Sequence, residues 1–417
     1  MAQAYLLLGT EKYKEKAYEK FAYVKTHFDE EHFLFGEGPA VKTEKGLNYV
    51  DLGYNLEESL PLLLKFAHYM QDEEARSFVN ESVKVHLEFI LPDGAIDNSF
   101  GSRANKWTYW GSRTSDGMQE GLCLSDDPMF KEVAERNFDL LQKCTKDGLL
   151  YGGLMYIEGN EEPCVHHAFC HAKSLASMLD EGFCHAEKVK LPRDEAYGVK
   201  SFKTLGAHLI AKGNYRATLS DGDMAYIPQS AISGGTMSML WHKKTGPLFS
   251  ATMAKYAAAE PRNMQLSRFD DEMENIAIRI SCGAYESVNA LDAKAEIKER
   301  GGKIYYQAKG CLKDLSYAGD IPYELGYAFE ENTITVTAKA GADGVLMVPV
   351  ICGYQDSLVR TKEGIELIKN GHKVTLEGCF EPSDLTARAF HVIGGFLTAP
   401  LKIVLKANEM KILKIKL

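Results

Sequence analysis

The sequence predicts an α+β chain in two parts: antiparallel helix hairpins, stacked or closed into an α/α toroid, over residues 1–190, and an antiparallel β-sandwich over residues 191–417. Three observations predict it. Apolar residues recur at helical spacing, between recognisable caps, as far as residue 190. After Lys190-Leu191-Pro192 the chain breaks into short alternating runs separated by glycine-containing turns. The connections between the helices alternate short and long, as helix pairs require.

The first full helix covers 11–28, with Tyr13, Ala17, Phe21, Val24 and Phe28 at helical spacing. A second, over 55–70, carries Leu56, Leu60, Leu63, Leu64, Ala67 and Met70. Asp72 is placed to cap the third, whose apolar positions are Phe78, Val79, Val83, Leu87 and Ile90. Asp127-Pro128 opens a fourth, a carboxylate cap followed by proline in the first turn, and it runs through Val133, Ala134, Leu141 and Cys144. The last spans roughly 165–181 and ends at Gly182. If the short turns close one rim, the long connections 29–53, 92–116 and 147–164 crowd the other, and a site is expected there.

Strands are expected at 213–219, 236–241, 247–253, 276–281, 303–309, 333–338, 345–351 and 373–377, with 401–417 as a closing hairpin that keeps lysines on its open face. A dozen short strands with no helices between them indicate antiparallel sheets packed face to face.

A net charge of −10 with no offsetting basic stretch argues against a nucleic-acid partner. Nine cysteines, an odd number without a Cys-x-x-Cys, fit neither a zinc ribbon nor a disulfide scaffold and read as buried thiols. No run is long enough to cross a bilayer, so no membrane partner is expected. Residues 1–10 read as the end of another helix; the chain is expected to enter a helical domain partway along, and its localisation is not legible from its start.

The most informative stretch is 93–117, an aperiodic loop holding Asn98, Arg103, Lys106, Trp107, Tyr109, Trp110 and Arg113 between glycines. Aromatic faces beside fixed cations suit a sugar ring that carries a carboxylate. The plainer reading is a connector whose tryptophans plug the core. A second stretch, 164–173, places His167 and His171 one turn apart on a helix face, with His166 offset by about 100°. These histidines suit acid–base work or substrate contact. A metal pair is a second reading, weakened by the lack of a glutamate between them and of a third ligand nearby; local capping is the third. His242, at the end of an apolar run, and Tyr226 are further candidates from the strand-rich half.

The order strand, Trp241-His242, turn, Gly246-Pro247, strand over 236–253, followed by Glu260-Pro261-Arg262-Asn263-Met264-Gln265, resembles the β-domain of heparinase II/III-type polysaccharide lyases. That resemblance implies a helical toroid joined to an antiparallel β-sandwich, β-elimination on a uronic-acid polysaccharide, and periplasmic or secreted localisation. It implies no required cofactor, and any divalent metal would be structural, with ligands the sequence does not identify. Asn98, with Arg103 and Arg113, would neutralise the uronate carboxylate. Tyr109 and one of His166, His167 or His171 would move protons, with His242 and Tyr226 closing the site from the β-domain. Lys106, Trp107 and Trp110 would hold the sugars. Two alternatives stay open: a glycoside hydrolase using Asp97 and Asp116, and a glycan-binding protein without activity.

Overall fold

The structure, a computed structural model, describes residues 1–36, 42–102, 109–110, 117–163, 165–183, 187–226, 230–252, 275–391 and 394–417. The helical half comprises α1 (Ala2–Leu8), α2 (Glu11–Lys25), α3 (Leu52–Tyr54), α4 (Leu60–Met70), α5 (Glu73–Leu87), α6 (Gln119–Leu122), α7 (Pro128–Lys143), α8 (Leu154–Glu158) and α9 (Val165–Asp180). Asp72 caps α5 by accepting from the Ala75 amide (2.9 Å), and Asp127 caps α7 through the Met129 amide (3.0 Å). The helix expected over 55–70 is instead interrupted: Asn55–Ser59 form a π turn between α3 and α4. A small hairpin, β1 (Thr145–Lys146) and β2 (Leu149–Leu150), follows α7.

The strand-rich half builds three antiparallel sheets rather than a simple pair. The first, in order, is β3 (Gly198–Phe202), β4 (Ala207–Lys212), β5 (Tyr215–Ser220), β6 (Met237–His242) and β7 (Gly246–Ser250). The remaining strands are β8 (Arg279–Cys282), β9 (Tyr285–Glu286), β10 (Lys294–Arg300), β11 (Lys303–Leu312), β12 (Ile321–Phe329), β13 (Thr333–Ala340), β14 (Gly344–Ile351), β15 (Ser357–Arg360), β16 (Gly364–Lys369), β17 (His372–Glu377), β18 (Ala389–His391), β19 (Phe396–Leu405) and β20 (Lys411–Lys416). They form an eight-stranded sheet, β10-β11-β12-β13-β20-β17-β16-β15, and a five-stranded one, β18-β19-β14-β8-β9.

The first sheet is an interior layer. Ala207 and Leu209 join the helical core, whereas Ile210, Tyr215 and Leu240 join the core shared by the three sheets. Every residue of β5 and β6 is therefore buried, which is why these strands show no clean polar–apolar alternation. A further apolar cluster bridges the halves, with Leu91, Tyr109, Trp110 and Met155 on one side and Met239, Trp241, Phe396 and Leu397 on the other.

Charged side chains lock the junction. Arg193 and Asp97, both fully buried, pair at 2.6 Å; Asp97 also accepts from Thr218 on β5 and from Ser99 Oγ (2.6 Å). Arg136 of α7 grips Asp194 with two parallel bonds of 2.7 and 2.8 Å, and Arg216 donates to the carbonyls of Arg193 and Asp194. Asp97, the carboxylate considered above for a hydrolase, is consumed by this clamp; Asp116 lies outside the described residues.

Candidate active site

The loop that leaves α5 begins as a rigid frame. Asn98 is fully buried: its Oδ1 accepts from the Leu52 amide (3.0 Å) and its Nδ2 donates to Asp51 Oδ1 (3.0 Å). A Cβ at Gly101 would stand 2.1 Å from Asn98 Oδ1, so glycine alone lets the chain turn here. The Ser102 amide then bonds the Val50 carbonyl (3.0 Å), which sets the chain's exit beside Asp51. The Asn98 amide thus braces the turn at 50–52 and is enclosed in this structure.

Tyr109 and Trp110 pack edge to face at 4.7 Å, both against Phe396. The Tyr109 hydroxyl donates to Asp93 Oδ2, which also accepts from Trp241 Nε1 (2.9 Å). Burial, reinforced by the Asp93 charge, holds this phenol well above its ordinary pKa, so it stays a proton-bearing donor. Trp110 is wedged where a Cβ on Gly153 would lie 2.5 Å from its Nε1, and only 4% of it is exposed. It is a plug between the halves, as in the plainer reading, and offers no face for a sugar. Arg103, Lys106, Trp107 and Arg113 lie outside the described residues.

The histidine helix presents its two faces differently. His167 and His171 are buried with Ser174 on the inner face, while His166 is exposed beside Cys170. His171 Nδ1 donates to the His167 carbonyl (2.9 Å), which makes Nδ1 the protonated nitrogen and Nε2 the basic one when the ring is neutral. Ser174 donates to the Gly117 carbonyl (2.9 Å), so the inner face of α9 meets the place where the 93–117 loop returns. Ala168 touches the Trp110 cluster.

The sequence reading passes over a group of carboxylates on the neighbouring elements. Tyr69 of α4 donates to Glu181 just beyond α9 (3.1 Å), and Lys65, one turn earlier, reaches Glu120 of α6 (3.2 Å), whose amide donates to Ser174 Oγ (3.3 Å). Glu57 and Asp51 are buried carboxylates. Glu57 and Glu58 are legible as a charged pair between Leu56 and Leu60 of an apolar stripe; the π turn that carries them, with Glu57 buried, has no sequence signature as clear.

From the sheets, His242 follows Trp241 on β6. Trp241 points to Asp93 and the junction, so its neighbour on β6 points the opposite way, into the space beside His372. Burial, with His372 and Lys244 nearby, lowers its pKa. Tyr226 is half-buried at the end of a segment anchored by Lys45, whose amide bonds Asp223 (2.7 Å). A histidine not singled out from sequence, His391, accepts from the Gly394 amide at Nδ1 (3.0 Å) and contacts Thr252 Oγ1 through Nε2 (3.1 Å). It thereby ties β18 to the end of the strand pair that precedes residue 253. Among the described residues no three His, Cys, Asp or Glu side chains gather as a metal site.

Residues 1–194 match the family model described as the ulvan lyase N-terminal domain, and residues 199–417 match the ulvan lyase C-terminal domain. A broad-specificity ulvan lyase from Formosa agariphila is 41% identical over 272 residues, covering 62% of this chain and 42% of that protein. The chain thus spans less than half the length of the curated relative it matches. Among solved structures, a heparinase III aligns over 90% of this chain and 52% of its own at 9% identity, with a TM-score of 0.42. The Streptomyces coelicolor A3 chondroitin AC lyase in complex with chondroitin sulphate aligns over 92% and 55% at 11% identity, with a TM-score of 0.46. At those scores neither structural likeness adds to the family match.

Proposed function

We infer the activity from a plain premise: the chain belongs to the ulvan lyase family along both of its halves. The protein is a polysaccharide lyase that cleaves a uronic-acid-containing polysaccharide by β-elimination, and the match of both domain models over nearly the whole chain is the observation that carries this reading. The helical half is then the catalytic toroid, its rim the cleft, and the sheets its outer wall. The substrate is an acidic polymer of the kind the Formosa agariphila relative's description names, met outside the cytoplasm because a polymer of that size does not cross a membrane unaided.

The chemistry requires three things. The uronate carboxylate must be neutralised so that charge can spread onto it as the neighbouring C–H bond breaks. A base must take that proton, and an acid must protonate the leaving glycosidic oxygen. Arg103, Lys106 and Arg113 are the cations available for the first task, with Trp107 as a stacking partner. His167 and His171, buried on the inner face of α9 that meets the return of the 93–117 loop, are assigned to proton transfer. Asn98 and Tyr109, buried in the frame, support the loop that carries those cations. A hydrolase reading loses its carboxylate to the Arg193 clamp.

His171→Gln and His167→Gln test the assignment. Each is expected to lower turnover on a uronate polymer by about a hundredfold or more while substrate binding stays within a few fold. Near-normal turnover in both variants would remove α9 from the chemistry.

A further inference from the structure

The eight-stranded sheet turns one face to the shared core and the other to solvent, and the solvent face has a shape. In register across β11, β12, β13 and β20 lie Tyr305, Ala328, Thr335 and Lys414. Two residues along the strands come Gln307, Gly326, Thr337 and Ile412. The middle strands thus contribute a low floor, and the side chains of β11 and β20 stand along its edges. Three interstrand spacings separate those edges, about 14 Å. Both edges carry bulk that is unusual for a solvated face: Tyr305 is 43% exposed and Ile412 is 52% exposed.

The charge of this face opposes that of the chain. The outward positions of the same four strands hold Lys303, Lys309, Lys339, Lys414 and Lys416 against a single acid, Glu324, in a protein of net charge −10. Lys309 pairs with Glu324 (2.9 Å), and Lys416 pairs with Glu377 of β17. Among the described residues no ion pair engages Lys339 or Lys414.

We propose that this trough is a second binding site for an anionic polysaccharide, separate from the rim of the helical half. The kind of ligand rests on the function proposed above; the shape and charge of the trough do not. The ring of Tyr305 offers a face to the C–H side of a pyranose. Thr335 and Thr337 offer hydroxyls to sugar hydroxyls. Lys339 and Lys414 meet carboxylate or sulfate groups, and the floor of glycine and alanine leaves room for a chain to lie along the strands. Such a site would hold the polymer near the enzyme between cleavage events, with contacts weakened by salt.

The experiment is affinity electrophoresis of the full chain through gels containing ulvan, chondroitin sulphate or neutral dextran, at low and high salt. The parent chain is expected to be retarded by the anionic polymers only, and less so at high salt. Tyr305→Ala with Lys414→Glu is expected to weaken that retardation about tenfold. Turnover of a short uronate oligosaccharide, too small to reach both sites, should stay unchanged. Lys414→Arg should behave as the parent, and both residues are exposed enough that folding is not at stake. Equal retardation of the double variant, or equal retardation by dextran, overturns the proposal. Loss of retardation in a chain that turns over nothing would leave the trough standing and reject the activity; unchanged retardation in an active chain would do the reverse.

Discussion

His86 shows how a single buried ring can set the acid limit of the helical half. It is fully enclosed, donates from Nδ1 to the Ser82 carbonyl (2.7 Å) and accepts at Nε2 from Asn55 Nδ2 (2.9 Å), a neutral tautomer with both nitrogens used. Burial lowers its pKa from the ordinary 6.5 to about 4. Between those two values the unfolded chain binds a proton that the folded chain refuses, so stability is full above pH 6.5 and falls as the pH drops through the window. The loss is at most about 3 kcal/mol. Urea midpoints measured at neutral and mildly acid pH should show this slope in the parent chain and a shallower one in His86→Gln; equal slopes would mean another group sets the limit. Tyr109→Phe is a second test at this scale. Removing the donor to Asp93 should cost about 1–3 kcal/mol of stability and leave turnover within a few fold, because the hydroxyl is held by Asp93 in a buried residue. Abolished turnover with unchanged stability would restore the proton-transfer role that the sequence alone suggests.

Two elements decide whether the loop frame and the junction hold. The turn at 98–102 has no room for a side chain at Gly101, so Gly101→Ala should push on the Asn98 amide and the Val50 carbonyl, cost about 1–3 kcal/mol, and lower turnover by misplacing the loop beyond it. A variant with parent stability would show that the turn yields. The Arg193–Asp97 clamp is a fully buried pair, and cutting one side strands the other's charge: Arg193→Met should cost about 3–5 kcal/mol, whereas replacing both residues by apolar ones should cost much less. Thermal or urea unfolding of the three variants checks the order. The caps of α5 and α7 were legible because a carboxylate before an apolar helical repeat has one common meaning. The π turn was not, because five residues of altered hydrogen bonding leave the apolar repeat nearly intact. Strands β5 and β6 lost their alternation for another reason: both of their faces are covered, and burial on two sides erases the signal that one-sided strands carry.

At the scale of the molecule, the change of texture near residue 190 was visible in the sequence, but the intimacy of the two halves was not. Asp97 meets Arg193 and Thr218 across more than ninety residues of sequence, and Tyr109 shares Asp93 with Trp241; no local pattern announces such pairings. For the same reason the sequence left open whether Trp110 is a sugar platform or a plug, and it did not show that Trp110 is buried at the junction or that His242 lies near His372. The aromatic and cationic content of the 93–117 loop was legible, and the direction in which its buried members point was a product of packing. With two arginine-held linker contacts and an apolar cluster across the junction, the halves should unfold together: circular dichroism and tryptophan fluorescence should report coincident transitions, and separated ones would mean the junction is weaker than its contacts imply. The central claim is the reaction itself. Ultraviolet absorbance of the unsaturated uronate, followed while the chain is incubated with ulvan, tests it most directly. The account predicts a steady rise that accompanies depolymerisation; new reducing ends without any rise in absorbance would contradict it and indicate hydrolysis instead.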